Sequence, residues 1–353
     1  MGGVVERIVQ KIREESKEFE EVKIMHLCGT HEDTVSRYNI RSLLPENVKL
    51  LAGPGCPVCI IPDEDLQKVF HLLEKEDVIL TTFGDMARVP FEGKSLFHYR
   101  AKGKDVRIVY SVFDALEIAK NESKNVVFFA IGFETTMPST AVAVKEAPEN
   151  FFIFSAHRFF VPAMEALMPN SEIDGYINPG HVSTIVGVVA YENLTKYGIP
   201  MVISGFEPED VLLSILMLLK AIKNREPLLM NEYVRAVKYE GNVKAKEVMK
   251  EVFEAEDGSW RGLGVIPNSK ASLSKAYEDR DAEKFFEDVF EDFVPKEDKR
   301  KRNCLCGEIL KGKAFPTDCK LFMKACTPRD PIGSCMVSFE GTCNIWAKYG
   351  KSL

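Results

Sequence analysis

Nine cysteines carry most of the chemistry open to this 353-residue sequence, and their placement is uneven. Cys28, Cys56 and Cys59 fall in the first sixth of the chain. None follows until Cys304, after which Cys304, Cys306, Cys319, Cys326, Cys335 and Cys343 occupy 40 residues. In a reducing compartment, clustered thiols point to metal or redox chemistry rather than to structural cross-links. Cys56-Pro57-Val58-Cys59 follows Gly53-Pro54-Gly55, a stretch that fixes the backbone where two sulfurs converge. That arrangement suits a dithiol/disulfide couple or two ligands to one metal. Cys28 precedes Gly29-Thr30-His31-Glu32, where a helix is expected, with Thr30 or Asp33 to cap it. A thiol at a helix N-terminus is expected to have a lowered pKa, and the thiolate is the form that ligates or attacks. His31 would complete a tetrahedral zinc set with Cys28, Cys56 and Cys59, so that reading stays open. The C-terminal six are separated by one, twelve, six, eight and seven residues. This lacks both the paired C-x-x-C of zinc ribbons and the close spacing of ferredoxins. Four dispersed cysteines can still hold one cubane cluster in a compact loop domain, and a disulfide framework is the alternative.

These groups need elements to position them. Val4 to Phe19 shows helical spacing at Val5, Ile8, Val9 and Ile12. Eight short apolar runs follow: Val22–Leu27, Val48–Ala52, Val78–Phe83, Val106–Tyr110, Val126–Ile131, Phe151–Ser155, Ile173–Ile177 and Met201–Ile203. Helix-like stretches separate most of them, which predicts βαβ units and parallel sheets. The polar break Lys120–Lys124 suggests two sheets dividing near residue 120. The expected organisation is an N-terminal helix over 1–20, an α/β domain over 21–120, a second over 121–225, and a helical and cysteine-rich region over 226–353. Pro208, Glu209 and Asp210 open a helix whose interior, Val211 to Ile222, is nearly all apolar and therefore central. Glu278 to Arg302 is dense in charge and expected to be solvated.

Ligands bind beyond the carboxyl ends of strands in open parallel sheets. Five predicted strands run into reactive or polar turns there: Cys28 to Asp33, Gly53 to Cys59, Gly84-Asp85, Gly132-Phe133-Glu134-Thr135-Thr136, and Asn178-Pro179-Gly180-His181. Glu134 and His181 thereby become candidates, although each could simply cap a helix. Gly205-Phe206-Glu207 echoes Gly132-Phe133-Glu134 after another strand.

Composition narrows the class. Hydrophobic residues make up 45% and charged residues 28%, as in a globular protein. The net charge of −7, without a long basic stripe, argues against nucleic acid as a partner. Val211 to Leu219, the longest apolar run, is too short for a membrane span, and Glu6 and Arg7 interrupt any signal-peptide core. A cytoplasmic location is expected.

Together the motifs Cys28-Gly29-Thr30-His31-Glu32, Gly53-Pro54-Gly55-Cys56-Pro57-Val58-Cys59, Gly132-Phe133-Glu134-Thr135-Thr136 and Pro179-Gly180-His181-Val182-Ser183 resemble those of the HypD family of [NiFe] hydrogenase maturation factors. The tail, with Cys319-Lys320-Leu321-Phe322, Ala325-Cys326-Thr327-Pro328 and Glu340-Gly341-Thr342-Cys343, is similar to that family's iron–sulfur segment. The resemblance implies two α/β domains with a C-terminal [4Fe–4S] domain. It implies a scaffold that assembles an iron atom carrying two cyanides and one carbon monoxide, together with HypC, and that receives cyanide from HypE. It makes Cys28 the iron ligand, Cys56 and Cys59 a redox pair beside the iron, and His31 and Glu134 polar residues of the site. It places the cluster on Cys306, Cys319, Cys326 and Cys343, with Cys304 and Cys335 left over, either to bridge each other or, for Cys335, to replace a ligand. An iron–sulfur-dependent thiol–disulfide oxidoreductase is the alternative function. Oligomeric state is silent in the sequence.

Overall fold

The computed structural model describes residues 2–169 and 171–350. Nine strands build two parallel sheets: β1 (Val22–His26), β2 (Val48–Ala52), β3 (Ile79–Thr82), β4 (Val106–Ile108), β5 (Val126–Gly132), β6 (Phe151–His157), β7 (Gly175–Pro179), β8 (Met201–Ser204) and β9 (Leu229–Asn231). The first sheet has the order β2-β1-β7-β8-β9 and the second β4-β3-β5-β6. Each predicted run overlaps one of β1 to β8. β5 and β6 are buried along their whole length, as parallel strands covered on both faces must be.

The two expected sheets are present, but the division at residue 120 does not separate them. β4 and β5 lie on either side of it, and both belong to the second sheet. The chain leaves the first sheet after β2, builds β3 to β6, and returns with β7 to pair beside β1. The second sheet is thus inserted into the first. Lys120–Lys124 merely joins the helix Val112–Asn121 to β5. One core runs through both sheets, joining Met25, Leu51 and Ile203 of the first to Leu80, Phe129 and Phe154 of the second.

Four helices matter for the site and its support: α1 (Gly2–Ser16), α2 (Gly29–Arg37), α3 (Pro57–Ile60) and α4 (Asp63–Lys75). Three more follow: α5 (Gly180–Val186), α6 (Pro208–Asn224) and α7 (Thr342–Tyr349). α6 starts with Pro208, and Asp210 Oδ2 accepts the Glu207 N–H at 3.1 Å. Val9 and Ile12 of α1 pack with Val211, Ile215 and Leu218 of α6 over the outer face of the first sheet, so α6 is central as expected.

Beyond residue 225 the structure departs from the expected helical region. Phe253–Trp260 (β10) and Gly264–Leu273 (β11) form an antiparallel hairpin. Four consecutive residues of β10, Glu254 to Asp257, are exposed, so the alternation that marks a strand is missing from the sequence. The charged segment 278–302 is not uniformly solvated either: Lys301 buries its side chain and pairs with Asp63 at 2.6 Å. Among the described residues no helix is long and apolar enough to cross a membrane.

Candidate functional site

Strand order creates the site. In the first sheet the strand order reverses between β1 and β7, and in the second between β3 and β5. Such switch points open a crevice at the carboxyl ends of the strands. The two crevices meet. A cavity of about 310 Å³ is lined by Cys28 after β1, Pro179 and His181 after β7, Phe133 and Thr135 after β5, and Gly55 and Pro57 after β2. Glu340, from the C-terminal segment, closes another side.

Cys28 and the Cys56–Cys59 turn are adjacent, as the redox-pair reading requires. The Gly29 N–H donates to the Gly55 carbonyl at 3.3 Å. A Cβ on Gly55 would stand 2.3 Å from the Cys28 nitrogen, so only glycine allows this approach. Cys56 and Cys59 are joined by a disulfide with Cα atoms 5.3 Å apart, and the Cys59 N–H donates to Cys56 Sγ at 3.2 Å. The Cys28 thiol is free. Its pKa is not lowered by the helix start. Burial, assisted by the Glu340 carboxylate, pushes it up to about 12 against the pull of the Thr30 and His31 amides. Cys28 is therefore a protonated thiol at neutral pH.

The remaining candidates divide. His181 lines the cavity, its ring stacked on Phe206 at 3.9 Å. Glu134 is buried; its Oε1 accepts the Phe160 N–H at 2.9 Å and its Oε2 has no partner. Burial raises its pKa to about 7. His31 does not line the cavity. Its Nε2 lies 2.9 Å from the Gly205 carbonyl, and burial lowers its pKa to about 3, so it is a neutral prop. The Gly-Phe-Glu echo thus has a role on both sheets: Phe133 walls the cavity, and Phe206 packs on His31 and His181. The zinc set fails, because Cys56 and Cys59 are bonded to each other and His31 points elsewhere. For the same reason Cys56 and Cys59 are not available as metal thiolates in this oxidised form. Among the described residues no three His, Cys, Asp or Glu side chains converge on a point that could hold an ion.

All six C-terminal cysteines line a second, apolar pocket with Ile309, Leu321, Phe322 and Met336. All six are free thiols, so Cys304 and Cys335 do not bridge each other. Cys306 Sγ instead lies 2.9 Å from Cys335 Sγ. Their protons are unequally held: the hydrogen bond from Cys335, then the nearby Arg261 and Lys301 charges, lower the Cys306 pKa, while that bond and burial raise Cys335 well above an ordinary thiol. The pocket borders the first site, since the Ser334 hydroxyl donates to the Cys59 carbonyl at 3.2 Å.

With this geometry in view, comparison with known proteins is decisive. The family model HypD, described as the hydrogenase formation hypA family, matches residues 3–350. The chain belongs to the HypD family. It is 45% identical to a putative hydrogenase expression/formation protein of Methanocaldococcus jannaschii, covering 98% of this chain and 97% of the relative. It is 43% identical to hydrogenase maturation factor HypD2 of Bradyrhizobium diazoefficiens, covering 98% and 93%. It is 40% identical to hydrogenase maturation factor HypD of Escherichia coli, covering 93% and 89%.

Three further groups support this HypD-family site, of which the sequence places only Asp85 at the strand-end edge. Glu340 stood only as part of a cysteine motif; burial and the neighbouring Asp85 charge push its pKa to about 7. Asp85 Oδ2 accepts the Phe339 N–H at 3.2 Å and so anchors that segment. The hairpin tip Trp260-Arg261-Gly262 reaches both cysteine groups. Its only local signal was the turn glycine pair Gly262 and Gly264, both at positive φ.

Proposed function

We propose that this protein is a hydrogenase maturation scaffold on which iron acquires its cyanide and carbon monoxide ligands, working with HypC and HypE. The observation that supports it most is the position of Cys28: a single free thiol in a cavity at the meeting of two switch points, beside a disulfide. One protein thiolate leaves an iron atom open to a second thiolate from HypC and to small exogenous ligands. Cys28 gives up its proton when the cation arrives, because metal charge outweighs the burial that otherwise keeps the thiol neutral. His181 lines the cavity as a polar group beside the cargo, and Glu134, between the lining residues Phe133 and Thr135, is buried with one oxygen unpartnered.

The chain supplies reducing equivalents through paired cysteines. HypE would present cyanide as a thiocyanate. Two electrons and a proton break its sulfur–carbon bond, leaving a thiol on the donor and cyanide for the iron. Reduced Cys56 and Cys59 deliver both electrons and close to the disulfide. Regeneration falls to the second pocket. Two sulfurs 2.9 Å apart suit one dithiol rather than separate irons of a cubane, so we assign Cys306 and Cys335 to a second redox pair. Cys304, Cys319, Cys326 and Cys343 then remain as the ligand set, and this replaces Cys306 by Cys304 in the set read from the sequence. Four thiols in an apolar pocket fit a [4Fe–4S] cluster, which would supply electrons singly. Exchange between the pairs breaks the Cys56–Cys59 bond, forms a Cys306–Cys335 bond, and transfers two electrons with two protons.

The test is infrared spectroscopy of the anaerobically purified complex with HypC. Cys28→Ala should abolish the cyanide and carbon monoxide bands of bound iron and leave the visible absorption of the cluster intact. Retained bands would overturn the assignment.

A further inference from the structure

The hairpin tip bridges the two cysteine pockets. We infer that Arg261 is a positioning residue that fixes the Cys56–Cys59 turn against the Cys306/Cys335 pair so that reducing equivalents can pass between them. The inference rests on the two-pair reading given above.

Arg261 binds the turn three times. Its N–H donates to the Ile60 carbonyl at 2.7 Å, its Nε donates to the Ile61 carbonyl at 2.9 Å, and its Nη2 lies 2.7 Å from Asp63 Oδ1. Ile60 closes α3, the helix that carries Cys59, and Asp63 opens α4. One guanidinium therefore grips both sides of the corner that leaves the disulfide. Its fork has the donors for two acceptors in different directions, which an ammonium on a flexible stem cannot reproduce.

The adjacent residue grips the other pocket. Gly262, at φ +76°, packs against Gly307, and a Cβ on Gly262 would stand 2.3 Å from the Gly307 Cα. Gly307 follows Cys306 directly. Lys301 shares Asp63 with Arg261 at 2.6 Å, which ties the segment before Cys304 to the same carboxylate. Trp260 anchors the tip: its indole stacks on Phe133 with centroids 5.9 Å apart and donates to Ser269 Oγ at 2.8 Å. Three successive residues thus touch the wall of the first cavity, the turn that leaves Cys59, and the residue that follows Cys306. Together with the Ser334–Cys59 bond they help hold the two pairs in register.

The experiment uses full-length protein carrying its cluster. The cluster is kept reduced by continuous illumination with a sacrificial electron donor, which supplies the two electrons per disulfide one at a time. Samples are quenched with acid at intervals, and free Cys56 and Cys59 are counted by differential alkylation and mass spectrometry. In the parent protein these thiols should accumulate with illumination. Arg261→Gln should slow their appearance by about tenfold or more, the scale expected when reacting groups are displaced by about an ångström. Its cluster absorption and circular dichroism should not change. Arg261→Lys should restore part of the rate. Gly262→Ala, which pushes the tip from Gly307 and leaves every Arg261 donor in place, should slow it independently and serves if Arg261→Gln does not fold. Transfer at the parent rate in both Arg261→Gln and Gly262→Ala would overturn the inference. Failure of the parent protein itself to reduce Cys56–Cys59 would instead overturn the two-pair reading.

Discussion

The indole N–H of Trp346 donates to Glu32 Oε1 at 2.7 Å, joining the helix that follows Cys28 to the helix that holds Cys343. Glu32 is 1% exposed and is also bound by His26 at 2.7 Å and by both Arg41 Nη atoms at 2.8 and 2.7 Å. Burial opposes its ionisation, but the Arg41 charge and bonds win and hold its carboxyl well below the usual carboxylate range. The Ser36 hydroxyl donates as well at 2.8 Å, and an anion held by five hydrogen bonds fixes geometry. The helix that follows Cys28 and the helix that holds Cys343 are thereby tied together.

Removing that anion should be costly. Glu32→Ala leaves the Arg41 cation and the Trp346 donor without their partner, and should destabilise the fold by about 3–5 kcal/mol. Glu32→Gln keeps the shape and should cost less. Because the folded-state pKa is depressed, the contribution of Glu32 is present above the unfolded value of about 4.3 and is lost as pH falls below it. Urea midpoints of parent and variants, measured from neutral to acid pH, should converge at the acid end. A constant gap would refute the carboxylate as its source.

His157 should make stability depend on pH in a higher window. It is fully buried between the Gly132 carbonyl and Thr140 Oγ1, and burial lowers its pKa to about 4. Above the unfolded value of about 6.5, neither state binds the proton. Below it the unfolded chain does and the native one does not, so stability falls with pH. The loss approaches about 3 kcal/mol near pH 4. His157→Gln should flatten this slope in denaturation curves collected across the window. An unchanged slope would mean that the imidazole titrates normally.

The order of the motifs, and the strands that carry them, were legible because each is local: a β-branched run ending in a glycine turn needs only a dozen residues to be recognised. Sheet membership was not. Whether β7 pairs with β8 alone or also with β1 depends on a contact between residues 24 and 175, and no local pattern encodes it. The hairpin was hidden because the polar residues of β10 face solvent in succession. The pairing of Cys306 with Cys335 was equally invisible, since six cysteines in a loop-rich segment offer many pairings and spacing does not rank them. His31 was misplaced for a different reason. Its sequence neighbour Cys28 suggested a shared ligand set, whereas helix geometry turns the imidazole toward Gly205, 174 residues away.

Cysteine substitutions should separate the two roles assigned to the C-terminal pocket. Cys304→Ser should remove most of the cluster absorption and acid-labile sulfide, because a ligand is lost. Cys306→Ser and Cys335→Ser should keep both and lose only the reduction of Cys56–Cys59. Loss of sulfide in Cys306→Ser with retention in Cys304→Ser would restore the ligand set read from the sequence.

Gly55 should be the position at which the iron site tolerates least. A methyl group there would stand 2.3 Å from the Cys28 nitrogen and 2.4 Å from its Cα, both backbone atoms that cannot rotate aside. Gly55→Ala must therefore push the Cys28 loop away from the Cys56–Cys59 turn, opening the crevice between the two motifs. The atoms that methyl group would meet first belong to Cys28 and Leu27 rather than to the second pocket, which should be spared. Iron bound per chain in complex with HypC, measured by elemental analysis after correction for cluster iron from acid-labile sulfide, should fall about tenfold or more if the thiol is displaced by an ångström. The sulfide itself should stay at the parent value. Gly53→Ala is the control, because its Cβ would meet the flexible ends of Leu27 and Met25 at 2.5 and 2.7 Å. Those side chains can yield, and iron loading should be affected less. Equal loading in Gly55→Ala and the parent protein would show that the close approach of the two loops is not what holds Cys28 in place.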